Sequence, residues 1–313
     1  MAGAEIVCGI DNWNLAIKTF KANFPEARAI LRRLTSLSRP RSLRDIGELD
    51  LIIASPECTN HTCALGKRER DEDSRLTAMH VLRFIREFQP RWVVIENVIQ
   101  MRSWSRYPEL VSVLKDELSY QVKEHVLDAA DFGVPQRRRR LFLVGDRLAP
   151  PREIELANGA NVRTAREILD PIGTWARGPL NSKKRAKPTL ERAKRAISEL
   201  GRGKPFLIVY YGSDGSGGWQ RLDRPLRTMT TLDRFGLVEW EDDTPMLRML
   251  QVPELMRAMG LEDSFTLPCG SRRDRIKLLG NGVCAPVMEA IVRSLVKKEI
   301  GNIAGTQMSV AAE

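Results

Sequence analysis

The sequence predicts an α/β fold: a Rossmann-like, mostly parallel sheet with helices on both faces, joined to a smaller irregular domain. Three observations carry this. Short apolar runs alternate with helical stretches through the first 150 residues. Three of those runs end in a polar or reactive group: Asp11, the Pro56 to Cys58 stretch, and Glu96. Beyond about residue 150 the alternation stops and basic residues take over.

Residues 5–11, "EIVCGID", read as a short buried strand ending in an acid. The stretch 14–23 has helical spacing, with Leu15, Ala16, Phe20 and Phe24 able to share a face. A second strand covers 51–54. A helix over 76–88 has Met79, Val81, Leu82 and Ile85 as its apolar side, and Pro90 stops it. A third strand covers 92–95, a helix 110–118, and two further strands 121–127 and 140–144. In such sheets ligands bind beyond the carboxyl ends of the strands, which is where Asp11, Cys58 and Glu96 fall.

The chain has 313 residues and is 42% hydrophobic and 29% charged, enough for one large domain or a large and a small one. No run of 18 apolar residues is evident, so no membrane span is expected, and the N-terminus lacks a secretory pattern. Five scattered cysteines, an odd number, argue for reduced thiols in a cytoplasmic protein. The net charge of +10 points to a polyanion, nucleic acid before membrane.

The expected organisation is a larger domain over 1–150 and a smaller one over 151–247. Residues 248–278 continue the small domain, a helix over 279–300 returns to the larger domain, and 301–313 form a tail without order. Residues 176–204 hold ten Lys or Arg against Glu191 and Glu199. Tyr210, Tyr211 and Trp219 follow, around a Gly/Ser-rich turn over 210–218. A solvated helix over 188–200 would explain about half of this basic cluster.

Cys58 admits three readings. It is a nucleophile if nearby positive charge or a helix N-terminus lowers its pKa, a small buried side chain, or a metal ligand with His61 and Cys63. The last lacks a clear fourth ligand. Glu96, at the end of an apolar strand, can donate a proton or cap a helix. The run "QRRRR" (136–140) precedes a strand, so alternate arginines face opposite ways; one set can enter a site, or the whole run can be solvated.

Together these pieces resemble the cytosine-C5 DNA methyltransferases, in that family's motif order and over most of the chain. "GIDNWNLAIKTFKANFP" (9–25) looks like the second motif, and "RDIGELDLIIASPEC" (44–58) like the third and fourth. "DSR" (73–75) looks like the fifth, "ENV" (96–98) the sixth, and "DFGVPQRRRRLFLVG" (131–145) the eighth. "RPLRTMTTLDRFGLV" (224–238) and "RMLQVPELMRAMGL" (248–261) resemble the region around the ninth, and "LLGNGVCAPV" (279–287) the tenth.

The resemblance implies methyl transfer from S-adenosyl-L-methionine to cytosine C5 in double-stranded DNA, with the base flipped out. It assigns addition to C6 to Cys58, the base edge and proton to Glu96, the base O2 to Arg140, and organisation of the catalytic loop to Arg138. It places the cofactor against Asp11, Asn12, Trp13, Asp45, Ile46, Pro56, Leu76, Asn281 and Val283. It places DNA against Gln136, Arg137, Lys183, Lys184, Arg185, Arg227, Thr228, Arg272 and Arg273. Alternatives are a catalytically silent or split-subunit DNA-binding remnant and a tRNA cytosine-C5 methyltransferase.

Two departures stand out. The family's opening strand and Gly-rich loop are not found, and the chain starts at "MAGAEIVCGID"; a separate subunit or upstream segment is expected to supply them. Glu57 stands where the family usually has proline. A carboxylate there disfavours a neighbouring thiolate.

Overall fold

The computed structural model describes residues 2–61, 69–156, 162–183, 185–211 and 218–307, with side chains described as far as residue 296. In chain order the elements are β1 (Cys8–Asp11), α1 (Asn14–Asn23), β2 (Arg28–Leu31), β3 (Leu51–Ala54), α2 (Glu72–Arg75), α3 (Thr77–Phe88), β4 (Trp92–Asn97), α4 (Tyr107–Ser112), β5 (Gln121–Asp128) and β6 (Arg139–Asp146). There follow β7 (Gly178–Pro179), α5 (Lys187–Leu200), β8 (Phe206–Val209), β9 (Trp219–Arg221), β10 (Phe235–Glu241), β11 (Thr244–Met249), α6 (Val252–Ala258), α7 (Arg272–Asn281) and α8 (Ala285–Gln307). Two compact units result. One comprises Met1–Asp128, Arg139–Leu156 and Val287–Glu313; the other comprises Ala129–Arg138 and Ala157–Pro286.

The first unit has a four-stranded sheet, order β3-β4-β6-β5, and a separate parallel pair, β1-β2. β3 and β4 are parallel, whereas β6 is antiparallel to both β4 and β5. The sheet is therefore mixed, where a mostly parallel one was expected. Only residues 129–138 join β5 to β6, too short a link for the helical crossover that parallel neighbours need.

α3 presents Ala78, Val81, Leu82 and Ile85 to the core, at helical spacing. Each large side chain buried there stabilises by about 1.5–3 kcal/mol. Gln89 ends α3 in the left-handed conformation, with Pro90 behind it. All six residues of β4 are buried, so its apolar run is covered on both sides. Gly9 lets Phe20 of α1 lie on β1: a Cβ there would meet the Phe20 ring at 2.5 Å.

The second unit is built on an antiparallel sheet, order β7-β11-β10-β8-β9. This region was expected to be irregular; its apolar runs at 206–209 and 235–238 are the strand signal that went unread. α5 buries Thr189, Ala193 and Ala196, and the two alanines join Phe206, Ile208, Trp219 and Val238 in one core. Arg248 is held by Glu254 through two bonds of 2.8 and 2.7 Å and lies 3.5 Å from Glu239, all three buried.

The segment Arg272–Val296 is apolar and long enough to cross a membrane by length and composition, against the expectation of none. Residues 282–284 break it into α7 and α8, and Ile276, Leu279, Val287, Ile291, Val292 and Leu295 are buried within the protein. Its apolar character thus belongs to core packing. The α8 backbone continues to Gln307, where a tail was expected from about residue 300.

Candidate active site

The parallel pair β3-β4 sets the geometry of the first unit. Ala54 pairs with Ile95, so the turn after β3, with Pro56 and Cys58, leaves the sheet at the end where Glu96 and Asn97 close β4. Asn97 fixes the two together. It is buried, its Nδ2 donates to Pro56 O at 3.0 Å, and its Oδ1 accepts from Val98 N at 2.9 Å.

β6 runs antiparallel beside β4 with Phe142 opposite Glu96. Arg140, two residues earlier, therefore shares a face with Phe142 at the same end of the sheet. Its Nε lies 3.2 Å from Glu96 Oε1, and its Nη1 donates to Arg139 O at 2.9 Å. Glu96 is 5% exposed; a buried carboxylate needs such a cation nearby. Cys58 is half-buried in a turn closed by His61 N donating to Cys58 O at 3.0 Å. A thiol, a desolvated carboxyl and a guanidinium converge on one end of one sheet. That set suits covalent addition to an electron-poor ring with proton delivery.

Asp11 ends β1, and its Oδ1 accepts from Trp13 N at 2.7 Å. Burial pushes the Asp11 carboxyl up, against backbone hydrogen bonds from Trp13 and Asn12. Asn12 is exposed and Trp13 half-buried beside it. Asp45 pairs with Arg28 at 2.6 Å, with its side chain 67% exposed. Ile46 and Leu76 are half-buried and Pro56 is buried. A cavity of about 480 Å³ in this unit lies by Tyr120 and Gln121, where β5 begins, and no candidate site residue lines it.

In the second unit the arginine run alternates as expected. Gln136 and Arg138 are buried, whereas Arg137 is exposed. Gln136, expected at DNA, is instead wholly buried: its Nε2 donates to Ala258 O at 2.8 Å and its Oε1 accepts from Met229 N at 2.8 Å. Its amide is used at both ends inside the unit. Arg138 gathers three carbonyls, Met229 O at 3.0 Å, Gly280 O at 2.8 Å and Gly282 O at 2.9 Å. Arg272, also expected at DNA, pairs with Asp233 at 2.7 Å and donates to Gln251 Oε1 and Leu250 O. Its guanidinium is committed within the unit.

Arg273, Lys183 and Asn281 are exposed, and Arg185, Arg227, Thr228 and Val283 are half-buried. Thr228 Oγ1 donates to Arg137 O at 2.8 Å. Lys184, Cys63 and the glycine-rich residues 212–217 lie outside the described residues. Sequence reasoning passed over Asn97, Asn60, Ser74 and Thr77 as working residues. Asn97 sat inside "ENV" and Ser74 inside "DSR", so both were already in quoted motifs.

The sequence profile of the C-5 cytosine-specific DNA methylase family matches residues 1–297. The chain is 31% identical over 236 residues to the type II methyltransferase M.HgiDI of Herpetosiphon aurantiacus, covering 72% of this chain and 74% of that one. It is 34% identical over 162 residues to the type II methyltransferase M.AquIA of a Picosynechococcus strain, covering 47% and 65% respectively. The crystal structure of the S. pombe Dnmt2 methyltransferase superposes with a TM-score of 0.68 at 16% identity, covering 96% of this chain and 92% of that one, a likeness of fold. With a profile match running from the first strand into α8, the chain belongs to the C-5 cytosine-specific DNA methylase family.

Proposed function

We propose that this chain methylates cytosine C5 in double-stranded DNA, with Cys58 as the nucleophile. The carrying observation is the meeting of the Cys58 turn, Glu96 and Arg140 at one end of the β3-β4-β6 sheet. Cys58 Sγ adds to C6 of an extruded cytosine. Glu96 holds the N3 and N4 edge and gives a proton to the ring as the sulfur adds, so the electron pair reaches C5. Arg140 faces the O2 side and offsets the developing charge. After C5 is alkylated, a base removes the C5 proton and Sγ leaves by elimination, and the ring nitrogen gives its proton back to Glu96, which restores the thiolate, the carboxyl and the neutral aromatic ring.

S-adenosyl-L-methionine, when bound, supplies the electrophilic methyl group. The residues present fit it: Asp11 is a solvent-reachable carboxyl at the end of a parallel strand, placed as ribose-binding acids are. Asn12, Trp13, Asp45, Ile46, Pro56 and Leu76 would line the same pocket.

A further strand and Gly-rich loop, from an upstream segment or a separate subunit, would complete this pocket. Among the described residues β1 pairs only with β2 and β3 only with β4. Ile53 of β3 is 46% exposed, although apolar runs in parallel strands are normally covered. This pairing supports an added strand there. The proposed setting is the cytoplasm of a bacterial or phage-infected cell.

The test is methyl transfer to duplex DNA by the wild-type protein and by Cys58→Ala. Loss of methylation by three orders of magnitude or more, about 4 kcal/mol in barrier, is expected. Methylation surviving the substitution sinks the assignment. A fluorinated-cytosine duplex should also trap an adduct on Cys58 in the cofactor-loaded protein.

A further inference from the structure

The proline usual before the family's nucleophile is Glu57 here, and the Glu57 carboxylate is the most heavily bonded group in the Cys58 turn. One oxygen accepts from Thr59 N at 2.7 Å, and the other from Asn60 Nδ2 at 3.1 Å and from the Ser74 hydroxyl. Its backbone N donates to Thr77 Oγ1 at 3.3 Å, a bond proline cannot make. Thr77 Oγ1 in turn donates to Ser74 O at 2.7 Å. Asn60 extends the ties: its Oδ1 accepts from Asp71 N at 3.0 Å and its backbone O from Arg75 Nε at 3.0 Å. Residues 57 and 60 are thus stitched to the start of α2 and α3, and Cys58 lies between the two anchors.

We propose that Glu57 is a positioning residue for Cys58, replacing with a hydrogen-bonded carboxylate the rigidity that a proline ring would give the turn. The inference rests on Cys58 being the nucleophile. A proline fixes φ at this position covalently. Glu57 leaves φ free and fixes the next three residues from the side chain. The charged and titratable groups around the carboxylate and its neighbours are Arg70, Asp71, Glu72 and Arg75 at the α2 segment and His61 of the turn itself. Burial by itself would raise the Glu57 carboxyl, but the bonds from Ser74, Thr59 and Asn60 outweigh it and hold the group below the usual carboxylate range. The carboxylate therefore stays ionised and accepting across the working pH range. Its charge sits one residue from the thiol and opposes thiolate formation before a base arrives.

The experiment has two readouts. The first is peptide-level alkylation of Cys58 by iodoacetamide as a function of pH, on the full chain without DNA. Glu57→Gln removes the charge and leaves a single accepting oxygen, so the alkylation midpoint should move down by roughly half a pH unit. The second is methylation. Glu57→Ala should lower kcat by about 10- to 100-fold, as small misplacements of a reacting group do, with KM for duplex DNA changed less than about twofold. Glu57→Pro should recover most of that loss, because the ring restores the restraint. Circular dichroism confirms that each variant folds. An unchanged alkylation profile in Glu57→Gln together with wild-type kcat in Glu57→Ala overturns the proposal. Wild-type kcat in Glu57→Ala overturns the positioning role whatever the alkylation profile shows. Methylation by Cys58→Ala would instead defeat the nucleophile assignment, a result distinct from both.

Discussion

At the scale of the residue, His61 is the least exposed of the three histidines. It is 5% exposed, and its ring meets Trp104 edge-on with centroids 5.3 Å apart. Among the described residues neither ring nitrogen has a hydrogen-bond partner. Burial, and then the Arg75 charge, push its pKa down to about 4, against the opposing pull of Glu57 and Glu72. The unfolded chain titrates this imidazole near 6.5. Between those values the unfolded state binds the proton more readily than the folded state, so acid favours unfolding. The contribution of His61 is fully present above about pH 6.5 and is lost as the pH falls towards 4. His80 and His125 are also lowered, first by burial, and act in the same sense. Thermal unfolding midpoints should fall as the pH drops through that window, and His61→Phe should flatten part of the slope while its two fellow histidines keep the remainder. A slope identical in the variant would show that His61 titrates as freely in the folded protein as in the unfolded chain.

At the scale of the element, the C-terminus of α7 is held by a cation. Arg138 donates to Gly280 O and Gly282 O there and to Met229 O, which satisfies carbonyls that a helix end leaves open and suits the negative end of its dipole. Gly280 permits the approach: a Cβ would lie 2.4 Å from Thr230 O and 2.6 Å from its carbonyl carbon. Arg138→Ala should cost about 3 kcal/mol or more, since several buried acceptors lose a charged donor together. Gly280→Ala should cost about 1–3 kcal/mol through overpacking against backbone. Urea unfolding measures both, and a variant within 0.5 kcal/mol, about the scatter of a surface change, would mean that this end of α7 is not so held. The sequence disclosed part of this arrangement. Strand periodicity made the alternation of Gln136, Arg137, Arg138 and Arg140 legible, and the glycines of "LLGNGVCAPV" stood out. What the inner side chains hold was not legible, because the partners of Arg138 lie 91 to 144 residues away in sequence. Local pattern reports which way a side chain points, not what waits there. Helix boundaries such as Asn14–Asn23 and the strand Leu51–Ala54 were readable for the opposite reason: their signals are contained in the segment itself.

At the scale of the whole molecule, the excess of ten positive charges is unevenly available. Composition could count the basic residues but not say which were already engaged. Arg138, Arg248 and Arg272 are committed to carbonyls or carboxylates within the second unit. Arg137, Lys183, Lys187, Lys194, Arg202, Lys204 and Arg273 are exposed there. Only side chains that reach solvent can exchange counterions with phosphate, so buried Arg138 and Arg248 cannot contribute to the salt dependence of DNA binding, half-buried Arg272 is held back by its bonds to Asp233, Gln251 and Leu250, and the second group can contribute. Each phosphate neutralised adds about 0.9 to the slope of log K against log salt concentration on duplex DNA. If Arg137 and Lys183 touch phosphate, Arg137→Ala and Lys183→Ala should each lower that slope by about 0.9, weakening binding uniformly across sequences while leaving the unfolding midpoint unchanged. Arg272→Ala should do the reverse: it removes the partner of Asp233 and two further acceptors, so stability falls while the slope for the folded protein stays as in the wild type. Fluorescence anisotropy of a labelled duplex across a salt series, beside thermal unfolding of the same three variants, separates the two classes. A slope lowered by Arg272→Ala would mean that its guanidinium leaves Asp233 for phosphate when DNA is present, and that ion pairing in the free protein does not decide which charges read the backbone.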